Sequence, residues 1–357
     1  MYKAIISFTF FALSFYSGLA QAPSHLTTDL IEHTDRVFLN GYPSGVSLTE
    51  LNSTIEPYQT VLIRSTHPRL GWVMNSEKTN VIQSAYRILM ASSAELLEEG
   101  KADIWDSGKT QDENSTAVKQ SGKALKTSSI YFWKVKTWDQ DELESEYSHI
   151  RSFRTADVLD GKTAVYPLQK TDEHPILITP IKKGDTYIDF GKVAFGQLKL
   201  TLTSQKTTDT IHIHLGEHAI NGRVDRKPKG SIRYTHYRLP LMQGTHTYLL
   251  KIKPDKRNTD TSANESGVKP IFMPDYIGEV HPFRYCEIEN YTTPIQTNDL
   301  IRQSVHYPFN YSAAYFHSSD SVLNKVWELS KYSIKATSFA GIYVDGDRER
   351  IPYEADA

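Results

Sequence analysis

The alternation of apolar and polar positions divides this 357-residue chain into two long regions of period two and a short final region of period near 3.6. From Pro23 to about Val158, short apolar or alternating runs at Val61–Ile63, Leu70–Val73, Tyr86–Met90, Tyr131–Trp138 and Ile150–Phe153 are separated by turn-forming residues. In the clearest of them Tyr131, Trp133, Val135 and Thr137 share one face, with Lys134, Lys136 and Trp138 on the other. Strands this short and regularly punctuated predict an antiparallel sandwich and leave no room for crossover helices. A junction follows from about Leu159 to Pro180, where Pro167, Pro175 and Pro180 are expected to interrupt any regular element. Beyond it, Asp185–Gly191, Gln197–Leu202, Ile211–Glu217, Arg233–Leu239, Thr247–Ile252 and Phe283–Ile288 predict a second β-region that ends near Phe309. The polar inserts Asn221–Gly230 and Pro254–Pro270 hold too few apolar residues to pack and are expected to be loops.

The period then changes. Val322, Leu323, Val326, Trp327, Ser330 and Ile334 recur at three- and four-residue intervals, and Ser319 or Asp320 stands ready to accept from the free amides of a first turn. This predicts an amphipathic helix of about five turns. Its apolar stripe has no partner in the sequence after it, so it is expected to dock only in part.

Composition narrows the function. A net charge of -2 and a pI near 6.7 give no electrostatic case for nucleic acid or an anionic membrane as partner. Lys3, the apolar run through Ile5, Phe8, Phe10, Phe11, Leu13 and Phe15, and the small-x-small site Ala20-Gln21-Ala22 make residues 1–22 a secretory leader, implying export to the periplasm or the medium. Ser7, Thr9, Ser14 and Ser17 interrupt the run and no basic cluster follows, which disfavours a membrane anchor. Cys286 is the single cysteine, so an exported form must be held by core burial rather than disulfides.

The densest chemistry lies at Tyr343-Val344-Asp345-Gly346-Asp347-Arg348-Glu349-Arg350-Ile351-Pro352-Tyr353-Glu354-Ala355-Asp356-Ala357. Neighbouring carboxylates raise one another's pKa while guanidinium groups lower it, so such a cluster is able to keep one carboxyl protonated and the rest ionised at neutral pH. A solvated charged face is the plainer alternative. A calcium loop is another, since Asp345, Asp347, Glu349 and Asp356 fall at EF-hand positions one, three, five and twelve; Arg350 where glycine is needed and two arginines inside the loop oppose it. His212 and His214 share a strand face near Glu217 and His218, a spacing compatible with zinc; equally, Ile211, Ile213 and Leu215 would be the buried face and the histidines the polar one. No cofactor is implied.

Several segments resemble the bacterial α-L-rhamnosidases of glycoside hydrolase family 78. Pro68-Arg69-Leu70-Gly71-Trp72, Gln83-Ser84-Ala85-Tyr86-Arg87-Ile88, Trp105-Asp106-Ser107-Gly108 and Trp133-Lys134-Val135-Lys136-Thr137-Trp138-Asp139 are similar to the fibronectin-III-like module at the front of those enzymes. Asp189-Phe190-Gly191, Gly216-Glu217, Arg233-Tyr234 and His281-Pro282-Phe283-Arg284-Tyr285 resemble their jelly-roll domain. Ser319–Trp327, Asp345–Arg350 and Tyr353–Ala357 resemble the entry to the catalytic barrel, although the Cys-Pro pair of the family's loop is missing and Tyr353 and Ala355 stand where the family has Trp and Gly.

The resemblance implies a mainly β chain. It comprises a fibronectin-III-like antiparallel β-sandwich over 23–158, a jelly-roll β-sandwich over 159–310, and over 311–357 the first helix and catalytic loop of an incomplete α/α barrel. It further implies inverting hydrolysis of terminal α-L-rhamnosides in plant or algal glycans, with a rhamnose-containing oligo- or polysaccharide as partner. Glu349 matches the general acid, and Asp345, Arg350, Tyr353 and Asp356 match substrate-binding positions. The base would come from beyond Ala357, so the chain is expected to be an N-terminal portion, inactive alone. The alternative is an exported carbohydrate-binding protein of two β-sandwiches without catalysis.

Overall fold

The strand Ile130–Asp139 sits at the middle of a sheet, with Gln83–Ala91 antiparallel on one side and Arg151–Thr155 on the other. Its alternation is realised residue by residue: Tyr131, Trp133, Val135 and Thr137 are buried and the lysines between them are half-buried. The structure, a computed structural model, describes residues 20–51, 55–259, 270–344 and 350–351, so most of the expected leader lies outside the described residues. The chain divides into two units, Met1–Asp35 with Leu62–Ala164, and Arg36–Val61 with Val165–Ala357. A boundary drawn once near Val158 therefore misses an early excursion: residues 36–61 leave the first unit and pack with the second.

The first unit is a β-sandwich. One sheet holds Ser24–Thr28, Arg69–Val73 and Val118–Lys119; the other runs in the order Leu62–Ile63, Arg151–Thr155, Ile130–Asp139, Gln83–Ala91, Trp105–Asp106. All pairings are antiparallel except the short one between Leu62–Ile63 and Arg151–Thr155. The tryptophans are core: Trp133 and Trp72 are buried, and their indole N–H groups donate to Thr28 Oγ1 at 3.2 Å and Gln83 Oε1 at 2.8 Å, which removes the cost of burying an unpaired donor.

The second unit is organised around one strand, Asp185–Ser204, where two separate strands were expected. Its first half pairs with Leu177–Lys182 and with Tyr285–Ile288; after a register shift between Asp189 and Ala194 it takes Leu300–His306 and then Gly244–Leu249 as neighbours. Two glycines make this change of partner possible. Gly191 has φ +85, and a β-carbon on Gly196 would stand 2.5 Å from the Gln303 carbonyl oxygen. Asp209–Gly216 and Tyr234–Leu241 complete the sheet, and Ile188, Leu198, Leu200, Ile213, Phe283 and Ile288 form its core.

Three expectations are corrected. The junction carries two strands, Gln169–Glu173 and Leu177–Lys182; Pro180 is accommodated beside a register shift on a strand paired on one side, where its missing N–H costs nothing. The insert Asn221–Gly230 contains strand Arg223–Val224, paired with Ala219–Ile220. In Pro254–Pro270, Lys256–Thr259 is a single helical turn, and the rest of that insert from 260 to 269 lies outside the described residues.

The helix Ser321–Thr337 forms as expected, with Asp320 as N-cap and its Oδ1 accepting from Val322 N at 2.7 Å. No residue of it is buried. The face that meets the sandwich carries Tyr332, whose hydroxyl donates to the Val193 carbonyl at 2.6 Å, while Val322, Leu323, Val326 and Ile334 of the apolar stripe face solvent.

Candidate functional site

After the helix the chain turns back into its own unit. Phe339, fully buried, stacks on Phe195 of the long strand at 3.8 Å between ring centroids, and Val344, also fully buried, donates its N–H to the Thr337 carbonyl. Leu168, Ile277, Val280 and Val305 close this second apolar cluster. Of the expected site residues, Asp345, Glu349, Tyr353 and Asp356 lie outside the described residues. Arg350 is described, and its side chain is 1 % exposed. Its guanidinium donates to Glu279 Oε1 at 2.6 Å and lies 5.3 Å over the Phe339 ring, while its carbonyl accepts from Ile271 N at 3.0 Å. That placement differs from the sugar-ligand role its position in the motif suggested, because its donors are turned to a carboxylate in the core.

The nearby electrostatics are set by burial among cations. His281 is 8 % exposed, and burial first, then the Arg233 charge, pushes its pKa down to about 4, so it is neutral at physiological pH. A cavity of about 710 Å³ opens between the helix and the sandwich, lined by Lys192, Glu217, Arg233, Arg284, Tyr332 and Thr337 among others. Its ions are engaged: Arg284 makes a two-pronged pair with Asp189 at 2.8 Å, and Glu217 Oε2 accepts from Arg233 N at 2.5 Å.

A second polar cluster lies on the outer face of Asp209–Gly216. His212 Nδ1 and His236 Nε2 are 2.8 Å apart with stacked rings; His214 is buried, 2.7 Å from the Tyr234 hydroxyl and 3.3 Å from Glu289. Desolvation lowers the pKa of His214 and His236, keeping them neutral. Burial would raise Glu289, but Arg226 prevails and brings it down to about 2. Glu287, fully buried, accepts from both Arg223 and Arg226. The alternation of Ile211, Ile213 and Leu215 with His212 and His214 fits the polar-face alternative, except that His214 is covered. Among the described residues no group of three His, Cys, Asp or Glu side chains is arranged to hold a metal ion.

Comparison with known proteins adds the chemistry. Residues 52–158 match the family described as the Rha78A-like, N-terminal immunoglobulin domain, and residues 311–357 match the bacterial alpha-L-rhamnosidase 6 hairpin glycosidase domain. The chain is related to the bacterial α-L-rhamnosidases. An α-L-rhamnosidase of Formosa agariphila is 41 % identical over 104 residues, which is 29 % of this chain and 11 % of that protein. One of Streptomyces avermitilis is 45 % identical over 82 residues, covering 23 % of this chain and 8 % of its own length. The fold is shared more widely than the sequence. Over 94 % of this chain it follows the α-L-rhamnosidase of Dictyoglumus thermophilum with a TM-score of 0.67 at 13 % identity, and the chain spans 54 % of that structure. For the enzyme of Aspergillus terreus the TM-score is 0.63 at 11 % identity, over 92 % of this chain and 54 % of that one.

The sequence words that resembled the family are contacts with one another. Asp106 of Trp105–Gly108 holds Arg87 of Gln83–Ile88 through two hydrogen bonds at 2.9 and 2.8 Å, and Asp189 holds Arg284 in the same manner. Glu279, by contrast, was missed. It sits 71 positions from Arg350 with no pattern around it, and only the fold joins the two.

Proposed function

We propose that this chain provides the β-domains, the first barrel helix and the acidic loop of an exported α-L-rhamnosidase. The supporting observation is the order of two independent matches on one chain, an N-terminal rhamnosidase domain over 52–158 and a rhamnosidase catalytic domain over 311–357. In this reading Glu349 protonates the leaving oxygen of a terminal α-L-rhamnoside, while a carboxylate outside this chain, about 6.5 to 9.5 Å away, activates water on the opposite face of the ring, giving inversion. Asp345 and Asp356 hold sugar hydroxyls and Tyr353 offers an apolar face to the ring. The substrate is a rhamnose-containing oligo- or polysaccharide, and residues 1–22 direct export.

The test uses the natural polypeptide that carries this chain. Hydrolysis of aryl α-L-rhamnosides is expected, with the β-anomer of rhamnose released first as seen by proton NMR. Glu349→Gln should lose most of the rate on poor leaving groups, which need protonation, and much less on activated aryl ones; Asp347→Asn should do less. An equal loss on both kinds of substrate rules out Glu349 as the acid. Absence of hydrolysis with retained sugar binding favours the non-catalytic alternative. Export is checked by mass spectrometry of the mature N-terminus, which retention of Met1 would refute.

A further inference from the structure

Arg350 carries three restraints that a surface residue of a charged loop would not need. Its backbone is in the left-handed region at φ 50, which a β-carbon disfavours. Its carbonyl is tied to Ile271 N, and its guanidinium is enclosed between Glu279 and the Phe339 ring. Strained, fully enclosed residues persist where the surroundings over-determine them, and such residues cluster at functional sites. Burial of an ion pair is a weak source of stability, since an apolar side chain would pack on Phe339 without the desolvation cost. What the pair adds is a defined direction.

The carboxylate at the other end is fixed in turn. Glu279 Oε1 accepts from Val280 N at 3.0 Å as well as from Arg350, so its orientation is set by its own backbone. That backbone is clamped by Gln197 of the long strand, whose Nε2 donates to the carbonyls of Ile277 at 2.7 Å and Glu279 at 3.0 Å. Gln197 is buried, and its Oε1 is held by Lys170 Nζ at 3.1 Å. An unbroken sequence of hydrogen bonds thus runs from the centre of the sheet to Arg350, and Arg350 is joined through one peptide bond to Glu349. Consecutive α-carbons are about 3.8 Å apart, so fixing residue 350 leaves its neighbour little freedom of position.

We propose that Glu279 is the positioning residue of the acidic segment: through Arg350 it anchors the residue following Glu349 to the sandwich and so sets where the proton donor stands. Glu279 touches no substrate. The jelly-roll domain thereby becomes part of the catalytic apparatus rather than an appendage to it. The inference rests on the assignment of Glu349 as the acid, and its test separates the two.

The first arm needs no activity. In this chain, Glu279→Gln should speed hydrogen exchange at the Ile271 amide, which donates to the Arg350 carbonyl, by about tenfold or more, while the Val135 amide of the first unit is unchanged. Unchanged exchange at Ile271 overturns the anchor. The second arm uses the natural polypeptide and aryl α-L-rhamnosides of graded leaving group. If the unsubstituted protein does not hydrolyse them, the functional reading fails and the first arm alone judges the anchor.

If it does, Glu279→Gln should lower kcat on the poor leaving group by about tenfold or more with KM within about twofold, and lower it far less on the activated one. Glu279→Asp, which keeps the charge, should recover part of the loss and serves in its place if Glu279→Gln does not fold. Glu173→Gln is the control: it damages a similar ion pair in the same unit, with the buried Arg302 and remote from Arg350, and should lower stability without any dependence on leaving group. Equal loss on both substrates in Glu279→Gln, or the same selective loss in Glu173→Gln, makes Glu279 merely structural.

Discussion

The strand Ile130–Asp139 and the helix Ser321–Thr337 were equally legible as elements, and the structure treats them oppositely. In the strand the period-two face is buried to the last residue, with Trp133 and Val135 at 0 % exposure. In the helix the period of 3.6 is just as regular, yet Val322 is 62 % and Val326 52 % exposed. Both segments meet the local requirements of their element: alternation and β-branched or aromatic residues for one, an N-cap and spaced apolar residues for the other. Periodicity therefore reports what a segment is able to bury. Whether it is buried depends on a partner, which Gln83–Ala91 and Arg151–Thr155 supply for the strand and which the described residues do not supply for the apolar stripe of the helix.

The contrast is sharpened most by Trp133→Ala. Removing a fully buried indole should cost about 3–5 kcal/mol and abolish or strongly lower the urea transition of the first unit followed by circular dichroism. A cost below about 1 kcal/mol would mean that the core had closed around the gap, which rigid packing of that strand does not allow.

A buried strand residue also gives a pH signature that no helix residue should share. The folded-state pKa of His281, about 4, lies below the 6.5 of the unfolded chain, so between these values the unfolded state binds the extra proton. The His281 contribution is fully present above pH 6.5, falls as pH drops through the window, and is gone below about 4; over the whole span it amounts to about 3 kcal/mol. Thermal unfolding of the second unit should show this slope in the parent and lose it in His281→Asn. An unchanged slope would assign it to other histidines, such as His214 or His306, whose pKa values burial also lowers.

For the helix the effects are smaller and local. Asp320→Ala removes the bond to Val322 N and should cost about 1 kcal/mol, read as faster exchange of the first-turn amides with the sheets unaffected. Smallest of all should be Val326→Ala, within about 0.5 kcal/mol by denaturant unfolding. A cost several times larger would show that the stripe is covered in solution and would erase the difference between the two elements.

Much of the fold could be read from short-range pattern. The faces of Ile130–Asp139, the alternation of Ile211–Leu215 and the N-cap at Asp320 all follow from neighbours within a few residues. Less legible were the elements whose stability comes from distant charge. Arg223 and Arg226 lie in an insert that looked like a loop, and they are ordered by Glu287 and Glu289, two positions apart on a strand more than sixty residues later. A pair of acids at strand spacing and a pair of arginines in a polar insert was a usable signal; nothing in either segment alone says that they meet. Pro180 misled for a similar reason, since a proline forbids a central strand but not one whose free edge lies at its position.

The sequence by itself determined the elements, the mainly β class, the kinship and the acidic segment with Glu349 in it, because each rests on residue types at fixed short spacing. Only the tertiary structure decided that 36–61 belong with the second unit, that Asp185–Ser204 is one strand serving several neighbours, and that Arg350 faces Glu279. These are contacts between residues tens of positions apart, selected by the shape of a shared core and by the cost of leaving a buried charge alone. Local pattern is fixed by steric preference and hydrophobic period along the chain; the choice among possible partners is made only when the whole chain competes for the same interior.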